Sequence, residues 1–152
     1  MLSLSSKNVF ELLSMNDAIR VIEKTMISVS NDKCVLPLRN VIDVSSSNRL
    51  GIMPGVLSLG GLYGVKVLSL FPENPSKGLS SHIGVVILFN PETGAPAAAI
   101  NADALTAVRT AAATAVATKA LSRMESSKLT IIGTGEQAEA HIEAISLVRN
   151  IT

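Results

Sequence analysis

The sequence is short of aromatic residues, of charge and of cysteine. Tryptophan is absent, and Phe, Tyr and Trp together make up 3% of its 152 residues. Stacking platforms for bases or sugars are therefore scarce. Lys and Arg number 13 against 12 Asp and Glu, a formal net charge of +1. A nucleic-acid binder carries a basic surplus to neutralise phosphates, so that class is disfavoured. A single cysteine, Cys34, builds no internal disulfide framework and fits a reducing compartment. Charged residues are only 16% while hydrophobic ones are 47%, the reverse of a disordered chain. No stretch reads as a membrane span, because the most apolar region, 102–121, is interrupted by Asp103, Arg109 and Lys119. The first twenty residues lack the basic start, apolar run and cleavage site of a signal peptide. The expectation is a soluble, cytoplasmic protein. Metal-ligand spacing of Cys and His, a Gly-x-Ser-x-Gly elbow and a Walker loop are all missing as well.

What is present has a clear order. Ser14 to Asp17 supplies capping side chains for a helix whose apolar face is Ala18, Ile19, Ile22, Met26 and Val29, closed by Ser30 to Asp32. The next seventy residues read as strands and turns. Strands are predicted over 35–44, 49–57, 62–71, 83–89 and 95–100, with turns at Ser45–Asn48, Gly60-Gly61 and Asn90–Gly94 and a loop over 72–80. Met53-Pro54-Gly55 marks a break or an edge, because proline cannot donate to a ladder. The unbroken apolar run 83–89 predicts a strand buried on both faces. Asn101 then caps an alanine-rich helix running to about Arg123, which lets another element approach closely.

The most specific local signal is the Gly-x-Gly-x-x-Ala turn at Gly133, Gly135 and Ala138, between an apolar strand pattern at 128–132 and a helix from about Glu136 to Val148. Gly133 permits the tight turn, Gly135 lets the backbone approach a pyrophosphate, and Ala138 keeps the helix close to the strand. Unpaired N–H groups at the helix start favour phosphate charge. The acidic ribose-binding residue expected about twenty positions further on would lie beyond Thr152. A single β-α piece cannot make a Rossmann sheet, so the expectation is the first part of a longer protein, with a small self-contained fold as the alternative.

Three cations sit among apolar neighbours: Arg39, Lys66 and Arg109. Burying a cation is costly unless an anion pairs with it. If the three converge, they form a receptor for a carboxylate. If each points to solvent from a half-buried element, they form nothing, and taken singly Arg39 and Lys66 favour that reading. Arg109 is more suggestive, because its helix is small and apolar on nearly every side. His82 could carry protons or touch phosphate, although a lone loop histidine more often does neither. His141 reads as structural, and Asp103 as a charge at a helix start.

These blocks occur in one order: Arg39, Met53-Pro54, Gly64-Val65-Lys66, 74–78, Thr93–Pro96, Leu105-Thr106-Ala107-Val108-Arg109-Thr110-Ala111-Ala112, and Ile132–Gly135. In this the chain resembles the ornithine cyclodeaminase/mu-crystallin family, over about Arg39 to Leu147. The resemblance implies an α/β protein: a mixed-sheet substrate and dimerisation domain over 1–125, followed at 126–152 by the first β-α unit of an incomplete Rossmann domain. It implies NAD or NADP as cofactor, a small amino or imino acid as substrate, and a homodimer formed through the N-terminal domain. It places Arg39, Lys66 and Arg109 around the substrate carboxylate, with Lys66 also a candidate for proton transfer. It places Ser81, Arg109, Thr110, Gly133, Gly135, Glu136, Gln137 and Ala138 at the cofactor. Ornithine cyclodeaminases carry a glutamate two residues before the Met-Pro pair, where this chain has Gly51. That departure points to a cyclic-imine reductase or amino acid dehydrogenase. Ornithine cyclodeamination and a non-enzymatic mu-crystallin-like binder or dimerisation module stay open. The family's catalytic aspartate would lie beyond Thr152, so the 152-residue chain is expected to lack turnover and to bind dinucleotide poorly.

Overall fold

The computed structural model describes residues 1–58 and 61–152, together with the backbone but not the side chain of Glu136. The predicted Gly60-Gly61 turn thus falls partly, at Gly60, outside the described residues. A six-stranded sheet carries helices on one face. Its strands are β1 (Leu2–Leu4), β2 (Asn40–Asp43), β3 (Arg49–Val56), β4 (Tyr63–Leu70), β5 (His82–Phe89) and β6 (Pro96–Asn101). The helices are α1 (Ser6–Leu12), α2 (Met15–Ser30), α3 (Ala102–Leu121) and α4 (Glu136–Ser146). Strand order is β1-β6-β5-β4-β3-β2, with β1 parallel to β6 and every other pair antiparallel. This is the expected mixed sheet.

Antiparallel register puts residues that lie opposite each other on the same face. Met53, Lys66, Val86 and Ile100 form one such row across the sheet. The neighbouring row on that face contains Gly51, Leu68 and Gly84. Gly84 is held to glycine by proximity, since a Cβ there would run into the Val67 carbonyl oxygen and would lie 2.8 Å from Leu68 Cβ. α3 covers this face. α1 packs on both β6 and α3, so both helices that touch the sheet lie on one side of it.

Asn101 starts α3 by accepting a bond from the Ala104 N–H at 2.9 Å. Alanine then allows the tight layering behind it: Ala111, Ala112, Ala115 of α3 and Ala144 of α4 are fully buried, packed with Met15, Ala18 and Ile19 of α2. Arg149 closes the other end of α3. Its guanidinium donates to the carbonyls of Thr118, Lys119, Ser122 and Arg123 at 3.0–3.2 Å, and to Ser122 Oγ at 2.9 Å. The Thr118 and Arg123 carbonyls also accept the Ser122 and Ser126 N–H groups, so Arg149 adds a charged donor where a helix terminus leaves carbonyls short of partners. Arg149→Ala is expected to lower stability by about 2 kcal/mol in a denaturant titration, the value of charge-assisted bonds lost at a half-buried site. Lysine, lacking the planar fork, is expected to restore less than half of it.

Three expectations need correction. The strand over 35–44 shrinks to β2, because 36–39 makes no ladder; Val35 forms only a single bridge to Val56. β3 runs straight through Met53-Pro54-Gly55, since its ladder with β2 stops at Ile52 and leaves Pro54 on an open flank, so the edge reading holds and the break does not. β5 is half-buried at best and Ile83 is 43% exposed, because no helix packs on the second face of the sheet among the described residues. Residues 128–132 run without a ladder, as a strand pattern lacking a neighbour must. No helix among the described residues is long and apolar enough to cross a membrane.

Candidate active site

Lys66 sits at the centre of β4 on the face that α3 covers. Its Nζ donates to Thr106 Oγ1 at 2.6 Å, and the Thr106 hydroxyl donates in turn to the Ala102 carbonyl at 2.5 Å. The ammonium is thereby docked against the first turn of α3. Half-burial, and secondarily the Arg109 guanidinium, hold the Lys66 pKa below its ordinary value of 10.5, while Asp103 opposes both. Arg109 itself is exposed. Arg109 thus acts on Lys66 through its charge and lines none of the described cavities. Arg39 is exposed and lines no described cavity. It lies one residue before the Asn40–Ile52 pair, where the ladder has ended.

A cavity of about 330 Å³ opens beside Lys66, lined by Leu68, His82, Asp103, Thr106, Thr110 and Gln137. On its other side Lys66 borders an apolar trough whose walls include Met53, Val86, Leu88 and Leu36. The cavity thus reaches from the lysine to Gln137, in the first turn of α4 and two residues past Gly135. Two of the lining residues, Thr110 and Gln137, each have a side-chain oxygen (Oγ1 and Oε1) buried without a hydrogen-bond partner. Such atoms are costly unless a ligand or water satisfies them.

The glycine turn leads into α4 from a segment without a ladder. Gly133 adopts a φ of +107°, which side-chain-bearing residues rarely take. Gly135 caps α4, and a Cβ there would meet no atom of the chain, so internal packing does not demand glycine at that position. Ala138 N–H bonds the Gly135 carbonyl at 2.9 Å. Ser81 stands just before β5, its Oγ 2.9 Å from His82 Nδ1 and outside the cavity wall. His141 spans the helices: one ring nitrogen is 3.0 Å from Thr114 Oγ1 of α3 and the other 2.7 Å from the Gln137 carbonyl of α4. Among the described residues no group of three His, Cys, Asp or Glu side chains could hold a metal ion.

Sequence reasoning passed over Leu68, His82, Asp103 and Thr106 as parts of one site. His82 pairs with Leu70 at the start of β5, which puts it on the Lys66 face. Asp103, Thr106 and Thr110 share a stripe of α3 at helical spacing. Each signal becomes readable only once the register against β4 is known.

The ornithine cyclodeaminase/mu-crystallin family model matches residues 1–152. A Δ1-pyrroline-2-carboxylate reductase of Bacillus cereus is 36% identical over 152 residues, covering 99% of this chain and 47% of that protein. An alanine dehydrogenase of Archaeoglobus fulgidus is 35% identical over 150 residues, covering 99% of this chain and 46% of that protein. The structure of Thermococcus litoralis Δ1-pyrroline-2-carboxylate reductase in complex with NADH and L-proline superimposes with a TM-score of 0.93 at 41% identity, covering 99% of this chain and 47% of that one. The chain spans about half the length of the relatives it matches.

Proposed function

Because the chain belongs to the ornithine cyclodeaminase/mu-crystallin family, we propose that it forms the substrate-gripping part of an NAD(P)-dependent enzyme acting at the α-carbon of an amino or imino acid. The observation that carries this reading is the cavity that runs from Lys66 to Gln137, in the first turn of the helix that follows the glycine turn. Lys66 and Arg109 grip the substrate carboxylate, with Arg39 reaching in from just before β2. Their charge and the wall formed by Leu68 orient the α-carbon toward Thr110 and Gln137.

The fit to a dinucleotide rests on three features of this chain: the open space at the Gly135 Cβ position, the φ of Gly133, and the two unpartnered oxygens of Thr110 and Gln137. The Gly133–Gly135 backbone, the first turn of α4 at Glu136 to Ala138, Thr110, Arg109 and Ser81 would hold it. When bound, it supplies or accepts the hydride. Lys66 keeps its ammonium against the carboxylate and is placed to pass a proton at the neighbouring nitrogen.

A reductase or dehydrogenase is favoured over a cyclodeaminase by Gly51. A Cβ there would lie 3.5 Å from Leu68 Cγ, and Leu68 is nearly buried in the cavity wall. Hydrocarbon therefore stands where a terminal-amine receptor would need a carboxylate. The test is turnover by the intact protein carrying this chain. NADH or NADPH oxidation with Δ1-pyrroline-2-carboxylate supports the reading. Ammonia release from L-ornithine would replace it with cyclodeamination, and neither activity would leave a binding protein.

A neutral amine cannot pair with a carboxylate. KM for the imino acid is therefore expected to rise as pH climbs through the Lys66 pKa, which lies below 10.5. A KM flat through pH 10.5 would remove Lys66 from the receptor.

The homodimer of the proposal uses the sheet face opposite α3. Ile52, Val65, Val67, Val85 and Ile87 alternate onto that face, half-buried, and no helix of the chain covers them among the described residues. The cellular site of the proposal is the cytoplasm.

A further inference from the structure

The cavity contains one charged group that neither the carboxylate grip nor the glycine turn uses. We propose that Asp103 is a positioning residue that keeps Lys66 in its ammonium form and aimed into the cavity, so that the receptor stays cationic. The use of that ammonium rests on the carboxylate reading above; the test below does not.

Asp103 is the second residue of α3, and Thr106 stands one turn further on. Anchoring Nζ on Thr106 holds the ammonium over the same first turn that carries Asp103, and both side chains line the one cavity. Apart from the Thr106 hydroxyl, which accepts from the ammonium, the surroundings oppose a positive charge. The free N–H groups at the start of α3 present the positive end of its dipole. Arg109, from the same helix, is a second cation. Half-burial strips water from the amine.

The remaining surroundings supply no compensation. β5 contributes His82, which is neutral or cationic but never anionic. β3 contributes Met53 opposite Lys66, α4 contributes the uncharged Gln137, and Arg39 lies outside the ladder. Among the described residues, Asp103 is the anion of the cavity wall. It also carries interactions of its own. A carboxylate is favoured at a helix start.

The sign follows from charge alone. Removing the carboxylate takes away a negative charge that raises the Lys66 pKa, so the amine is expected to lose its proton at a lower pH. Reductive ¹³C-methylation of the chain's lysines gives each a separate NMR titration, and Lys66→Arg assigns the signal of interest. Asp103→Asn is expected to move the Lys66 midpoint down by on the order of one pH unit, leaving the exposed lysines unmoved, and Asp103→Glu is expected to recover most of the shift. A helix-start role alone would not move that midpoint. An unchanged or raised Lys66 midpoint in a folded Asp103→Asn chain would overturn the proposal. The wild-type chain gives a second reading that needs no variant: the Lys66 methyl signal must also respond at acid pH, where Asp103 takes up its proton, and invariance there would overturn it equally. The titration needs no turnover. Its failure would leave the carboxylate reading standing, and an absence of turnover would leave the Asp103–Lys66 coupling standing.

Discussion

In the intact protein carrying this chain, the proposed function predicts that Lys66→Met lowers kcat/KM for a cyclic imino acid by about a thousandfold, the value of a desolvated ammonium–carboxylate contact worth roughly 2–5 kcal/mol. Methionine keeps the length of the side chain and removes the cost of half-burying a charge, so the melting temperature is expected to hold or rise. That combination separates a substrate contact from a structural one. Thr106 loses its donor in the variant, but its own hydroxyl still bonds the Ala102 carbonyl. A variant with near-normal kcat/KM would take Lys66 out of the site, and the carboxylate-receptor reading with it. Arg109 is exposed, so its truncation is expected to cost less, because water screens the charge it removes.

The second large effect concerns the helix layer. Ala115 is fully buried where α3 meets its neighbours. Ala115→Leu adds carbons where no space exists, and stability is expected to fall by about 3 kcal/mol, measured as a shifted urea midpoint at unchanged slope. Ala117 lies on the same helix but is exposed. Ala117→Leu is therefore expected to change stability by less than about 0.5 kcal/mol. Equal responses at the two positions would mean that α3 is not packed as described.

The contrast between 115 and 117 shows what the sequence conveys and what it withholds. The alanine run announces a helix and a close approach, and α3 begins at the capping residue that the sequence names, Asn101. It does not say which alanines are covered, because small residues carry little periodicity. α2 was legible down to its caps, since Ser14 and its apolar stripe are both strong signals. β1 and α1 were not. Three residues of strand and seven of helix are too short for a pattern, and β1 is defined by its partner β6, almost a hundred residues away.

The site was legible as residue types and not as a place. Lys66 and the glycine turn stood out because a cation in an apolar strand and a Gly-x-Gly-x-x-Ala turn are each unusual locally. Asp103, Thr106 and His82 are ordinary in their own segments. They gain meaning only from the β4–β5 register and from the laying of α3 over the Lys66 row. Arg39 shows the converse. Its apolar neighbours suggested burial, yet they lie in a stretch without a ladder, where Leu38 is 97% exposed.

The imidazole of His141 fixes more than a distance. It engages a hydroxyl on one helix and a main-chain oxygen on the next, so it reports the angular phase of α4 about its own axis as well as its height along α3. Rotating α4 by a single residue, 100°, would swing the Gln137 oxygen and the ring out of reach of their partners together. The same rotation would carry the Gln137 amide out of the Lys66 cavity. One ring therefore acts as the index mark that keeps Gln137 facing the lysine cavity.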